Sequence, residues 1–200
     1  MELLIASRNV HKIREMRLIL KQLCSCDLVS LADFPNYVAP EENGKTFQEN
    51  ATLKAVHAAQ TLQRLTIADD SGLVVPGLRG EPGIHSARYA GPRATDMENR
   101  EKLLLSMKDL PEEQRNAYFE CWIAIASPEQ LLYSAKGLCE GKILAHARGN
   151  GGFGYDPLFV KHDYNKTFSE LDETTKNRVS HRRKALEKCT LVLEKICQKE

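Results

Sequence analysis

The chain predicts an α/β fold, and three observations carry that expectation. An apolar run, Leu3-Leu4-Ile5-Ala6, stands directly before a helical pattern that places Ile13, Met16, Leu20 and Leu23 on one face. A capping-box sequence, Thr46-Phe47-Gln48-Glu49, opens a second amphipathic stretch that runs up to the β-type residues Thr66-Ile67-Ala68. Further on, Trp122-Ile123-Ala124-Ile125-Ala126 is long enough for a central strand. Strands and helices therefore alternate along the chain instead of segregating.

Taken in order, the first strand, residues 3–6, ends in the polar turn Ser7-Arg8-Asn9, and a strand near residues 27–31 follows the first helix. The segment 33–45 is a polar loop carrying Pro35, Pro40 and the pair Glu41-Glu42. In the helix opened by Thr46, Phe47, Ala51, Ala55, Ala58 and Leu62 form a stripe whose small members permit close packing. The strand at 66–68 runs straight into Asp69-Asp70-Ser71-Gly72, read as a strand end and tight turn, and Leu73-Val74-Val75 resumes extended structure. Residues 76–93, rich in Gly and Pro, read as an ordered functional loop. Thr95-Asp96-Met97-Glu98 is a second capping box, opening a helix to about Lys108. The stretch 118–126 is β-rich, with 131–135 its hairpin partner across Ser127-Pro128-Glu129. A glycine-rich loop, 149–154, leads to Tyr155-Asp156-Pro157. A helix over 179–197, with Ala185, Leu186, Cys189, Leu193 and Ile196 facing inward, closes the chain.

Two hundred residues, 42% hydrophobic and 28% charged, describe one ordinary globular domain, expected to span 1–200 without a separate second domain. A net charge of +1 gives no argument for a nucleic-acid surface or a membrane partner, so a polyanion would need a local cluster of cations. No apolar run reaches the length of a membrane span, and the opening residues are too short for a signal peptide, which makes the cytoplasm the expected location. Cys24, Cys26, Cys121, Cys139, Cys189 and Cys197 show no C-x-x-C pair and no zinc-like spacing. They read as buried reduced thiols, with Cys24-x-Cys26 the one pair that offers redox or metal chemistry as an alternative.

Four segments carry chemistry. In Ser7-Arg8-Asn9-Val10-His11-Lys12 a strand passes through a polar turn into a helix, gathering backbone N–H groups and the positive end of the helix dipole where a phosphate binds. Equally, Asn9 caps the helix and Lys12 is solvated. Asp69-Asp70 sets two carboxylates side by side, costly without a cation or a proton between them. Such a pair offers a Mg²⁺ ligand or a base toward water, against the plainer reading of a solvated turn. Glu41-Glu42 would add hard oxygen ligands only if the fold brings them beside Asp70. In 149–154 the glycines allow backbone to approach a ligand, and Phe153 and Tyr155 offer rings for a base. Lys176, His181, Arg182 and Arg183 gather at the expected start of the last helix, where acids are the usual choice, so an anion or a polar base edge is implied there unless the helix is plain surface.

Ser7-x-Asn9-x-x-Lys12, Ala68-Asp69-Asp70-Ser71-Gly72-Leu73, Pro82-Gly83-Ile84-His85-Ser86-Ala87-Arg88-Tyr89, Gly151-Gly152-Phe153-Gly154-Tyr155-Asp156-Pro157 and Ser180-His181-Arg182 occur in one order along residues 3–195. Together they resemble the inosine triphosphate pyrophosphatase family, which removes deaminated purine nucleotides. The resemblance implies an elongated mixed β-sheet flanked by helices, two lobes with the active site in the cleft between them, and a homodimer. It implies that Ser7, Arg8, Asn9, Val10, His11 and Lys12 bind the triphosphate. Asp70 would be proton acceptor and Mg²⁺ ligand, with Glu42, less directly Glu41, as acidic metal partner. Ser71 would touch substrate, and Phe153, Gly154, Tyr155, Asp156, Lys176, His181 and Arg182 would surround the purine. One departure stands out: the family's Thr-Gly-Asn is Ser7-Arg8-Asn9 here, so the turn must be regular or Arg8 itself must reach the phosphates.

The implied reaction is attack of water on the α-phosphorus of ITP, dITP or XTP, giving a monophosphate and pyrophosphate. Donors around the purine would accept a 6-oxo group and reject the 6-amino group of adenine. Two other classes compete. A phosphatase working through an aspartyl-phosphate at Asp69 usually has a second Asp two positions on, where Ser71 stands. A nucleotide-binding regulator would bind without turnover.

Overall fold

A computed structural model describes residues 2–197, the side chain of Cys197 excepted. The α/β expectation holds. Six strands, β1 (Glu2–Ile5), β2 (Asp27–Ser30), β3 (Thr66–Val74), β4 (Asn116–Ala126), β5 (Leu131–Ile143) and β6 (Phe159–Lys161), form one sheet in the order β2-β1-β3-β4-β5-β6. The sheet is mixed: β1 pairs parallel with β2 and β3, whereas β5 and β6 are antiparallel. Among the described residues six α-helices accompany it: α1 (Val10–Leu23), α2 (Phe47–Leu62), α3 (Asp96–Ser106), α4 (Glu173–Val179), α5 (His181–Glu187) and α6 (Thr190–Cys197). None of the described helices is long and apolar enough to cross a membrane.

The chain divides into two compact units, and β3, β4 and β5 contribute residues to both. The first unit comprises residues 1–70, 121–137 and 181–200. Its strands alternate sides, as the pleat requires. Leu3, Ile5, Ile67, Cys121, Ile123 and Ile125 meet Ile13, Met16, Ile19 and Leu20 of α1, Ala185 and Leu186 of α5, Leu193 of α6, and Cys189 in the turn between α5 and α6. On the other face Leu4, Ala6, Ala68, Ala124 and Ala126 meet Ala51, Ala55, Ala58 and Ala59 of α2. Alanine opposite alanine lets α2 lie close to the sheet. Burying each large aliphatic side chain contributes roughly 1.5–3 kcal/mol, so the α1 face supplies most of the apolar stabilisation. The caps foreseen for these helices are present: Asn9 Oδ1 accepts from the amides of His11 and Lys12, and Thr46 Oγ1 from that of Glu49.

The second unit comprises residues 71–120 and 138–180. Its core is aromatic, with Phe119, Phe159 and Phe168 in mutual contact and Leu73, Leu103, Met107 and Tyr155 around them. Thr95 caps α3 in a full capping box with Glu98.

Three expectations are corrected. Asp69-Asp70-Ser71-Gly72 is neither strand end nor turn: β3 runs unbroken through it. Gly72 is there for close packing, since a Cβ on it would lie 2.4 Å from Ser86 Oγ and 2.6 Å from the Gly83 carbonyl oxygen. The closing helix is three helices rather than one, because Ser180 is extended (φ −70°, ψ 157°) and residues 188–189 form a turn. Asp172, accepting from the amide of Thr175, starts this region earlier than residue 179. Finally, β5 extends eight residues past the expected Ala135, to Ile143. Gly137 and Gly141, poor strand formers, interrupt an alternation that the structure completes with buried Cys139 and Ile143.

Candidate active site

At the head of α1, the helix cap takes the amides that looked suited to a phosphate: Asn9 holds those of His11 and Lys12, and Ser7 Oγ accepts from the amide of Asn9. What this turn presents is therefore side-chain charge. Arg8 does not occupy the left-handed region, so no glycine-like backbone is needed at that position. Its Nη2 donates to the carbonyl oxygen of Tyr37, 2.6 Å away, tying the turn to the loop that carries Glu41 and Glu42. Tyr37 is buried, and its hydroxyl lies 2.8 Å from His57 Nδ1 on α2.

Lys12 reaches inward. Its Nζ lies 2.5 Å from Asp69 Oδ1. The other carboxylate oxygen of Asp69 accepts from Arg182 Nε at 3.1 Å and Nη2 at 3.0 Å, and lies 3.1 Å from Cys121 Sγ. Arg182 also donates to Glu15 on α1 through Nη1. All four of Asp69, Arg182, Glu15 and Cys121 are buried. Burial opposes charge on Asp69, but Arg182, then Lys12 and Lys54, outweigh it and hold the carboxyl well below the usual range. The thiol of Cys121 is pushed well up by burial and by the Asp69 charge, so it stays protonated and donates. Arg182 is thus engaged by two acids, whereas the family resemblance implies a place beside the purine. His181, at the start of α5, is also buried.

Asp70, the next residue on β3, is in a different state. Its Oδ1 lies 2.7 Å from Lys54 Nζ, which is also 3.6 Å from Glu42 Oε1. Burial raises the Asp70 carboxyl above its ordinary value, against the pull of Lys54 and Lys12. Lys54 loses from burial and gains more from Asp70, Glu42 and Asp69, so its ammonium is held charged. Of the glutamate pair, Glu42 is the member that reaches Lys54. Two carboxylates thus converge on one positive centre. Among the described residues no group of three or more His, Cys, Asp or Glu side chains is placed to hold a metal ion by itself. Two hard oxygen donors on one cation nevertheless fit Mg²⁺, which proteins commonly hold by one or two carboxylates together with substrate phosphates.

Sequence reasoning missed Lys54 and Glu15. Both left a signal: Lys54 interrupts the alanine stripe of α2, and Glu15 sits on the buried side of α1 between Ile13 and Met16, where a carboxylate needs a partner.

The second unit gathers its own cluster. Asp156 Oδ2 accepts from the amide of Phe153 at 2.9 Å and lies 2.5 Å from Lys176 Nζ, and that ammonium stands 4.8 Å from the centre of the Phe153 ring. Lys176 and Asp156 are buried. The hydroxyl of Tyr155 donates to the carbonyl oxygen of Ser86, 2.8 Å away. Ser71, on β3, belongs to this unit. The cluster combines a ring, a buried ammonium and a glycine-rich backbone, a set able to stack on a base and donate to its edge.

A model of the Ham1 family matches residues 3–191. The chain is 55% identical over 98% of its length to a dITP/XTP pyrophosphatase of Protochlamydia amoebophila, covering 99% of that protein. It is 50% identical over 100% of its length to a dITP/XTP pyrophosphatase of Chlamydia abortus, covering 98% of it. Among solved structures, a HAM1 protein from Coxiella burnetii superposes with a TM-score of 0.87 at 38% identity, over 98% of this chain and 99% of that one.

Proposed function

The chain belongs to the Ham1 family, and from that premise we propose that it is a Mg²⁺-dependent pyrophosphatase converting ITP, dITP and XTP to the monophosphate and pyrophosphate. One observation carries the assignment of roles: of two adjacent carboxylates on one strand, Asp69 is held by Arg182, Lys12 and Cys121, whereas Asp70 faces Lys54 beside Glu42. Asp69 is saturated by Arg182, Lys12 and Cys121, and acts as an anchor. Asp70, met by Lys54 and not by the buried guanidinium that holds Asp69, is the carboxylate assigned to take the proton of the attacking water.

Lys12, with its Nζ fixed by Asp69, binds the triphosphate, and Arg8 adds charge at the same turn. Asp70 and Glu42 would hold Mg²⁺, and the bound ion would supply neutralisation of the phosphate charge in the transition state. Lys54, beside the same two carboxylates, would add its ammonium to the positive charge that meets the phosphates. In the second unit Phe153 stacks on the purine, and Lys176, oriented by Asp156, donates to its 6-oxo edge. Ser71 contacts the substrate beside Asp70. An aspartyl-phosphate route through Asp69 is disfavoured by the partners already bound to that carboxylate. The homodimer and the cytoplasmic location that the resemblance implies belong to this reading; light scattering on the purified protein checks the first.

The deciding experiment is product analysis with ITP and Mg²⁺. Pyrophosphate and IMP should form in equal amounts, and EDTA should stop the reaction. Inorganic phosphate released directly, without added pyrophosphatase, would mean γ-cleavage and refute the proposal.

A further inference from the structure

The first turns of α3 hold one residue of the glycine-rich loop by both of its backbone polar groups. Asp96 Oδ2 accepts from the amide of Gly154 at 2.6 Å, and Arg100 Nη1 donates to the Gly154 carbonyl oxygen at 2.8 Å. Asp96 and Arg100 are four residues apart, so they share a face of the helix. Gly154 has φ +58°, a conformation that costs a residue with a side chain. Both of its backbone groups are bound by ionised partners, whose hydrogen bonds are stronger than neutral ones. Between the two, buried Asn99 accepts from the amide of Ala90 at 2.8 Å and donates to the Ala87 carbonyl oxygen at 3.2 Å. The neighbour Tyr155 is bound to Ser86. One helical face therefore fixes the loop at 153–155 and the segment at 86–90 together.

We propose that Asp96 and Arg100 are positioning residues for base selectivity: by clamping Gly154 they set the angle of the Phe153 ring and its distance from Lys176. This rests on the reading of Phe153 and Lys176 as the purine site. The physical reason is tolerance. Discrimination between a 6-oxo and a 6-amino group depends on a donor held in place, and a loop that moves lets the donor withdraw from adenine. A clamp on the backbone keeps the penalty in force without either charge touching the base.

The test compares ITP and ATP turnover, by pyrophosphate release, in wild type, Arg100→Leu, Arg100→Lys, Asp96→Ala and Phe153→Ala, with the Tm of each. Arg100→Leu should raise KM for ITP and narrow the ITP/ATP ratio of kcat/KM by about tenfold, with kcat changed by less than about threefold. Asp96→Ala should act in the same direction, and Arg100→Lys, which keeps a donor, should recover most of the ratio. If Phe153→Ala collapses the ratio while Arg100→Leu and Asp96→Ala leave it unchanged, the purine site stands and the clamp proposal is overturned. A fall in Tm with an unchanged ratio overturns it too, as a mere brace of the fold. If Phe153→Ala itself leaves the ratio intact, the purine site is misplaced and the clamp proposal falls with it.

Discussion

Lys54 Nζ lies 2.7 Å from Asp70 Oδ1, on the carboxylate proposed to hold the metal. The same ammonium is 3.6 Å from Glu42 Oε1, so a protein cation stands at the convergence of both acids. On the proposed reading Lys54 and Mg²⁺ would compete for these oxygens. Lys54→Met should tighten Mg²⁺ binding to the nucleotide-free protein by roughly tenfold, since the metal no longer displaces a charge. Turnover of ITP should fall in the same variant, because Lys54 also serves the phosphates. Calorimetric titration with Mg²⁺ alone decides the matter: unchanged or weaker binding would remove Lys54 from the metal site.

Asp70→Asn should nearly abolish turnover while the protein stays folded. An amide neither takes the proton nor holds Mg²⁺ tightly, and loss of a general base costs roughly 10²-fold or more. Circular dichroism and steady-state kinetics on one preparation suffice, and an active Asp70→Asn enzyme would sink the mechanism.

Arg182 carries a different expectation. It is buried, with its guanidinium shared by Asp69 and Glu15. Removing one partner of a buried ion pair leaves the other charge uncompensated, at a cost of about 3–5 kcal/mol. Arg182→Ala should show that loss in urea unfolding, with Glu15→Gln a smaller one. A denaturation midpoint unmoved in Arg182→Ala would show that the guanidinium is not the structural anchor of Asp69.

How far the sequence reached can be seen in these same residues. The capping boxes at Thr46 and Thr95 and the stripe of α2 were legible because local hydrogen bonding and helical period decide them. Asp69 and Asp70 stood out as costly neighbours, yet their division of labour depends on Arg182, 113 positions away, and on Lys54 from another helix. Pairing over that separation leaves no periodic trace. For the same reason the stretch 69–72 read as a turn: two acids and a glycine look like a break until their partners neutralise the charge and Ser86 fills the space over Gly72. Glu15 left only its place on the buried side of α1, because its partner Arg182 lies 167 positions away.

The last prediction concerns which base the second unit admits. Arg182 has donors engaged by Asp69 and Glu15, so the proposed reading gives the 6-oxo group to Lys176. Its Nζ is held 2.5 Å from Asp156 and 4.8 Å from the centre of the Phe153 ring, so a purine stacked on that ring would meet a fixed ammonium. Hypoxanthine and xanthine offer O6 and N7 as acceptors. Adenine offers an N6 donor instead, and each buried donor left unpaired costs about 1–3 kcal/mol. Two such groups would separate ITP from ATP by roughly 10²- to 10⁴-fold in kcat/KM, with little discrimination at the sugar. Lys176→Met should therefore lower kcat/KM for ITP far more than for ATP. Equal losses for both nucleotides would mean that Lys176 supports the loop or a phosphate, and that the purine edge is read by another group.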